Sequence, residues 1–208
     1  MFKKISFLLF CVFVFGFNNI ANANECAVYK ITPKITIDIP EYITSVVQPN
    51  KPMDLLHGNV VATLVNNYDI VVDIKPTNDG YCVLLKNINA TIGYTDFLIN
   101  VDGRHKKNSC SYNAIINHEN MHIDAYLSVI DEYKPKIYSS LYMAANSVMP
   151  IFVKNINDID IAIDKLNNEL QTHPDVVLII QKIHAAEEIK NKSVDQNEDY
   201  SELKKCFK

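Results

Sequence analysis

Beyond its first residues the chain has no apolar run long enough to cross a membrane, since a spanning helix takes about 20 consecutive residues. Nothing downstream of the leader would therefore halt its export. It also lacks an excess of positive charge: 20 Lys and Arg stand against 24 Asp and Glu, a formal net charge of −4. That balance excludes nucleic acid and anionic membrane surfaces as expected partners. It has no close C-x-x-C pair to seed a four-cysteine metal site. There is no internal repeat, no low-complexity linker and no evident propeptide ahead of the first strand.

What is present begins with MFKKISFLLFCVFVFGFNNIANA, in which Lys3 and Lys4 precede an apolar core from Ile5 to Phe17 and Ala21 and Ala23 form a small-x-small site. This pattern predicts a Sec signal peptide over residues 1–23. Glu25 stands where a lipobox requires a small residue, so Cys26 is not read as a lipidation site. Removal of Lys3 and Lys4 with the leader takes the formal net charge from −4 to −6. The remaining chain, 24–208, is about 185 residues long, enough for one domain with a sizeable core. It is expected in the periplasm or outside the cell, with no stable membrane anchor after cleavage.

Cys11 leaves with the leader, and Cys26, Cys82, Cys110 and Cys206 remain as an even set in an oxidising compartment. Two disulfides are expected. Three connectivities are open, and the preferred one joins Cys26 to Cys82 and Cys110 to Cys206. The first bond would tie the N-terminal segment to the sheet, and the second would bring the C-terminal tail to the start of a helix.

The first half of the chain alternates apolar and polar residues in KITIDI (34–39), NVVATLV (59–65), YDIVVDIK (68–75), GYCVLLKNINATIGY (80–94) and DFLINVD (96–102). These read as strands, and the short turn-rich pieces between them predict an antiparallel sheet joined by hairpins. From Ser109 the periodicity becomes helical, with helices expected near 111–132, 136–148, 157–171 and 175–191 and with Pro135, Pro150 and Pro174 near the breaks. Strands followed by helices predict an α+β domain. The last polar residues, from Lys190 onward, read as a tail.

The helix beginning near Cys110 contains HENMH, residues 118–122. Residues four apart share a helix face, so His118 and His122 can offer two imidazoles to one ion, and Glu119 lies one position round. This is the H-E-x-x-H arrangement in which zinc acidifies a water and the glutamate serves as general base. The same stripe carries Ile115, Ala125, Tyr126 and Val129. Two histidines on so apolar a face need a partner, either a metal ion or hydrogen bonds within the core.

Gly80-Tyr81-Cys82-Val83, the alternating strands after it, Cys110-Ser111-Tyr112 and His118-Glu119-x-x-His122 together resemble a family of predicted secreted bacterial zinc-dependent proteases within the zincin class. The likeness covers roughly residues 80–126. VDQNEDYSELKKC (194–206), with its acidic residues and Tyr200, is similar to the polar tail after the last helix of such proteins. The resemblance implies a zincin-like fold, Zn2+ as cofactor and peptide or protein substrates.

Catalytic zinc normally has three protein ligands and an open position, and HENMH supplies two. The metzincin extension is absent, because Ala125 and Ser128 stand at the positions of its Gly and third His. The third ligand is expected from a later segment: His184 or Glu188 on the last helix, or the tail, which carries Asp195, Glu198 and Asp199; His184 and Asp199 rank about equal. Tyr112 and Tyr126 are secondary candidates for stabilising an oxyanion, and Asp124 for orienting a histidine. His57, His105 and His173 are assigned no role. The expected function is an exported zinc metallopeptidase with His118 and His122 as ligands and Glu119 as base. The alternative is a non-catalytic exported protein, either metal-binding or a degenerate protease fold that binds a partner.

Overall fold

A computed structural model describes residues 25–29, 31–49, 52, 57–197 and 205–206. The segment 1–23, where a signal peptide was expected, lies outside them, as do Glu198, Asp199 and Tyr200.

The elements run β1 (Lys34–Asp38), β2 (Ile43–Val47), β3 (Gly58–Pro76), β4 (Tyr81–Val101), α1 (Cys110–Ser147), β5 (Ile151–Val153), a 3₁₀ turn (Ile156–Asp158), α2 (Ile159–Gln171) and α3 (Pro174–Asn197). β4 is the axis of the sheet. One of its edges is filled by β3, antiparallel over the full length of both strands. The other edge carries three short strands in series: β5 opposite 81–83, β1 opposite 87–91 and β2 opposite 96–100.

The expectation of an antiparallel sheet is overturned, because β1 and β2 both run parallel to β4. They are two stretches of one extended run along that edge, interrupted where Pro40 packs on Gly93. A Cβ on Gly93 would lie 2.8 Å from Pro40 Cδ, so glycine is what lets the proline sit there. The chain then rounds the end of β4, since β2 finishes opposite Asn100 and β3 starts opposite Val101. Alternation tells which face a residue occupies and nothing about the direction of its neighbour. The expected pairs 59–65 with 68–75 and 80–94 with 96–102 are likewise single long strands, and β2 and β5 are strands where none was expected.

β4 alternates between a buried and a solvated face. Ile88, Ala90, Ile92, Tyr94, Phe97 and Ile99 point into the core against α1 and α3, while Asn89, Asp96 and Leu98 point away. α1 continues through Pro135, where a break was expected. An interior proline costs about 3 kcal/mol. Ile130, Ile137 and Leu141, at most 1% exposed, flank it on the buried face, and burial of each contributes about 1.5–3 kcal/mol. Together they outweigh the break.

Both disulfides are formed, Cys26 to Cys82 and Cys110 to Cys206. They fit an exported protein. No helix among the described residues is long and apolar enough to cross a membrane.

Candidate metal centre

Ser109 starts α1. It holds an extended conformation and its hydroxyl accepts from the Tyr112 amide at 3.2 Å, satisfying one of the open donors of the first turn. Two turns later the helix presents His118, Glu119 and His122 between the start of β3 and the last turns of α3.

The two imidazoles meet edge to face, with ring centroids 4.7 Å apart and Nε2 atoms 3.1 Å apart. Asp195 Oδ1, from α3, lies 3.2 Å from His122 Nε2 and 3.5 Å from His118 Nε2. Ligands at about 2.0–2.1 Å in a tetrahedral set are separated by about 3.3 Å, so the three donor atoms already stand at the spacing of one tetrahedral face. The His118–His122–Asp195 group could hold a metal ion. The histidine side chains are 13% and 11% exposed and the Asp195 side chain 56%. The two histidines are therefore largely enclosed, while the carboxylate is exposed.

His122 is oriented from behind. Its Nδ1 lies 2.8 Å from Asn191 Oδ1, and Asn191 Nδ2 donates to the Glu187 carbonyl at 2.9 Å. With the amide nitrogen committed to a carbonyl, the Asn191 oxygen faces the ring and accepts from Nδ1–H. The lone pair is then on Nε2, toward the other donors. One turn earlier the buried Glu187 accepts from the Tyr94 hydroxyl of β4, and its second oxygen is 3.1 Å from His184 Nδ1. Burial first, then the bond to Glu187, pushes the Tyr94 pKa far up, so this phenol stays protonated and keeps α3 pinned to the sheet.

Replacing Asn191 by Ala is expected to weaken metal binding about 10–100-fold, the usual cost of losing an orienting partner. Competition titration of zinc against a chelator checks this, with unchanged affinity as the contrary result.

Glu119 is buried beside the first residue of β3. A Cβ on Gly58 would fall 2.9 Å from Glu119 Oε1 and 2.5 Å from Ile115 Cγ2, so a larger residue there would have to displace both side chains.

Among the third-ligand candidates, Asp195 is the one brought to the histidines. His184 turns to Glu187, and neither it nor Glu188 is among the residues grouped with His118 and His122. Glu198 and Asp199 lie outside the described residues. Asp195 stands on α3 rather than in a tail, because the helix runs to Asn197. Lys190 reaches Ser128 at 3.0 Å and Glu132 at 3.4 Å, and with Asn191 it carries the contact with α1 past the point where apolar periodicity ends. Tyr112 is buried in the main core, and Tyr126 packs on Tyr94 and Phe97. Asp124 is exposed, and the partner of His122 Nδ1 is Asn191. His173 lies 2.8 Å from the Ser147 hydroxyl at the far end of α1. Asn191 and Glu187 were missed at the level of sequence. The available signal was the four-residue spacing of Glu187, Asn191 and Asp195, which puts all three on one helix face. No family model, no curated protein and no solved structure matches this chain.

Proposed function

We propose that this chain is an exported zinc metallopeptidase of the H-E-x-x-H class, akin to the secreted bacterial proteases its motifs resemble, and that it cleaves peptide bonds in the periplasm or outside the cell. The reading is carried by one observation: Asp195 stands within 3.5 Å of both histidine nitrogens of the motif. Two imidazoles and one carboxylate make the donor set of a catalytic rather than a structural zinc. Zinc held there would supply Lewis acidity, polarising the scissile carbonyl and making water acidic at neutral pH.

The remaining steps belong to the chain. Glu119 takes the proton of the attacking water and returns it to the leaving amine. Asn191 keeps the His122 lone pair on Nε2. Tyr94 and Glu187 hold α3 where Asn191 and Asp195 can reach α1.

Cleavage of a peptide library by the purified mature protein should stop on treatment with a chelator and return on addition of one equivalent of zinc. Tight zinc binding without any cleavage would instead make the protein a metal-binding module, and cleavage indifferent to the chelator would remove the metal from the reaction.

A further inference from the structure

A second pair of histidines meets at the other side of Gly58. His57 Nδ1 lies 3.1 Å from His105 Nε2, with the rings edge to face and their centroids 5.2 Å apart. The nitrogen separation equals that of His118 and His122. Two imidazoles bound side by side to one ion at about 2.0–2.1 Å have nitrogens about 2.9 Å apart at a right angle and about 3.4 Å apart at a tetrahedral one. We propose that His57 and His105 form a second metal site, taking a late first-row divalent ion of the Cu2+, Ni2+ or Zn2+ type.

The backbone beneath the pair is built to hold it. The Asp102 amide donates to the His57 carbonyl at 2.9 Å, and the His105 amide donates to the Asp102 carbonyl at 3.1 Å. One residue thus ties both histidine-bearing segments together. Gln48 Nε2 clasps the same turn, donating to the Asp102 carbonyl at 3.1 Å and to the His105 carbonyl. The fully buried Asp102 carboxylate accepts from the Arg104 amide at 2.7 Å and from its guanidinium at 2.9 Å. A site rigidified in this way loses little entropy on taking an ion.

The chemistry of the rings points the same way. His105 Nδ1 lies 3.1 Å from Ser111 Oγ, and with its proton donated there the Nε2 lone pair faces His57. Only a proton or a cation can sit between two such nitrogens. Exchange of one for the other needs no net proton release when the His57 proton moves from Nδ1 to Nε2. Neutral nitrogen donors select borderline transition ions over Ca2+ or Mg2+, with Cu2+ the tightest of the series.

The inference needs nothing from the peptidase reading. The test is to load the mature protein with one equivalent of zinc and titrate Cu2+, following it by electron paramagnetic resonance, in the wild type and in His57→Gln. The wild type should take a further equivalent of Cu2+ with a two-nitrogen hyperfine pattern, and His57→Gln should take one equivalent fewer. His57 is a surface residue, so its loss should leave folding intact. As a second measurement, His105 ring resonances should shift on Cd2+ or Zn2+ addition in the wild type and stay in place in the variant. Equal Cu2+ uptake by the two proteins, or a wild type that takes no Cu2+ beyond the first site, would overturn the proposal.

Discussion

Glu119→Gln is expected to retain its zinc and to lose peptide hydrolysis by about 100-fold or more, the range typical of removing a general base. Glu119 is not one of the three residues that could hold the ion, so its substitution leaves the donors in place. The change is nearly isosteric at a buried position hemmed in by Gly58 and Ile115, so the fold is preserved and a stability effect does not imitate the loss. Metal content and single-turnover cleavage measured on the same preparation separate the two quantities. Full activity in the Gln variant with zinc still bound would mean that HENMH holds a metal without using Glu119 as its base.

The second large effect concerns the ligands. His118→Ala, His122→Ala and Asp195→Ala should each lower zinc affinity by more than the roughly 100-fold that loss of an outer partner costs, because each removes one of three donors rather than a support behind one. His184→Ala and Glu188→Ala, on the same helix as Asp195, should bind zinc as the wild type does. The contrast is the decisive part. Metal analysis after dialysis at equal protein concentration reads it directly. An Asp195→Ala protein with wild-type affinity would assign the third position elsewhere, and zinc loss in His184→Ala would show α3 in a different rotation about its axis. Both would be seen against an unchanged circular dichroism spectrum, since Asp195 and His184 are exposed.

The residues of the site differ in how far they could be read without coordinates. His118, Glu119 and His122 are local: their spacing alone puts them on one turn of a helix, whatever that helix packs against. The strands and the change to helix at Ser109 are local too, being a matter of period. Cys26 with Cys82 and Cys110 with Cys206 could be preferred over the other pairings because each tied a loose segment to a regular one.

Other features depend on which surfaces meet. Propensity stops α1 at Pro135, and it continues only because Ile130, Ile137 and Leu141 are buried on both sides of the proline. Composition makes the residues after Lys190 a tail, and they are helical because Asn191 and Lys190 find partners on α1. The direction of β1 and β2 follows from Pro40 meeting Gly93 and from the path round the end of β4, neither of which leaves a mark in the alternation of the strands. By itself, then, the sequence determined the turn of helix that carries two nitrogens and a carboxylate, because short-range geometry obeys a fixed period. Only the tertiary structure decided that Asp195 joins the two histidines and that Asn191 orients His122, because both come from a helix 69 or more residues away, whose rotation is set by Tyr94 and Glu187 in the core.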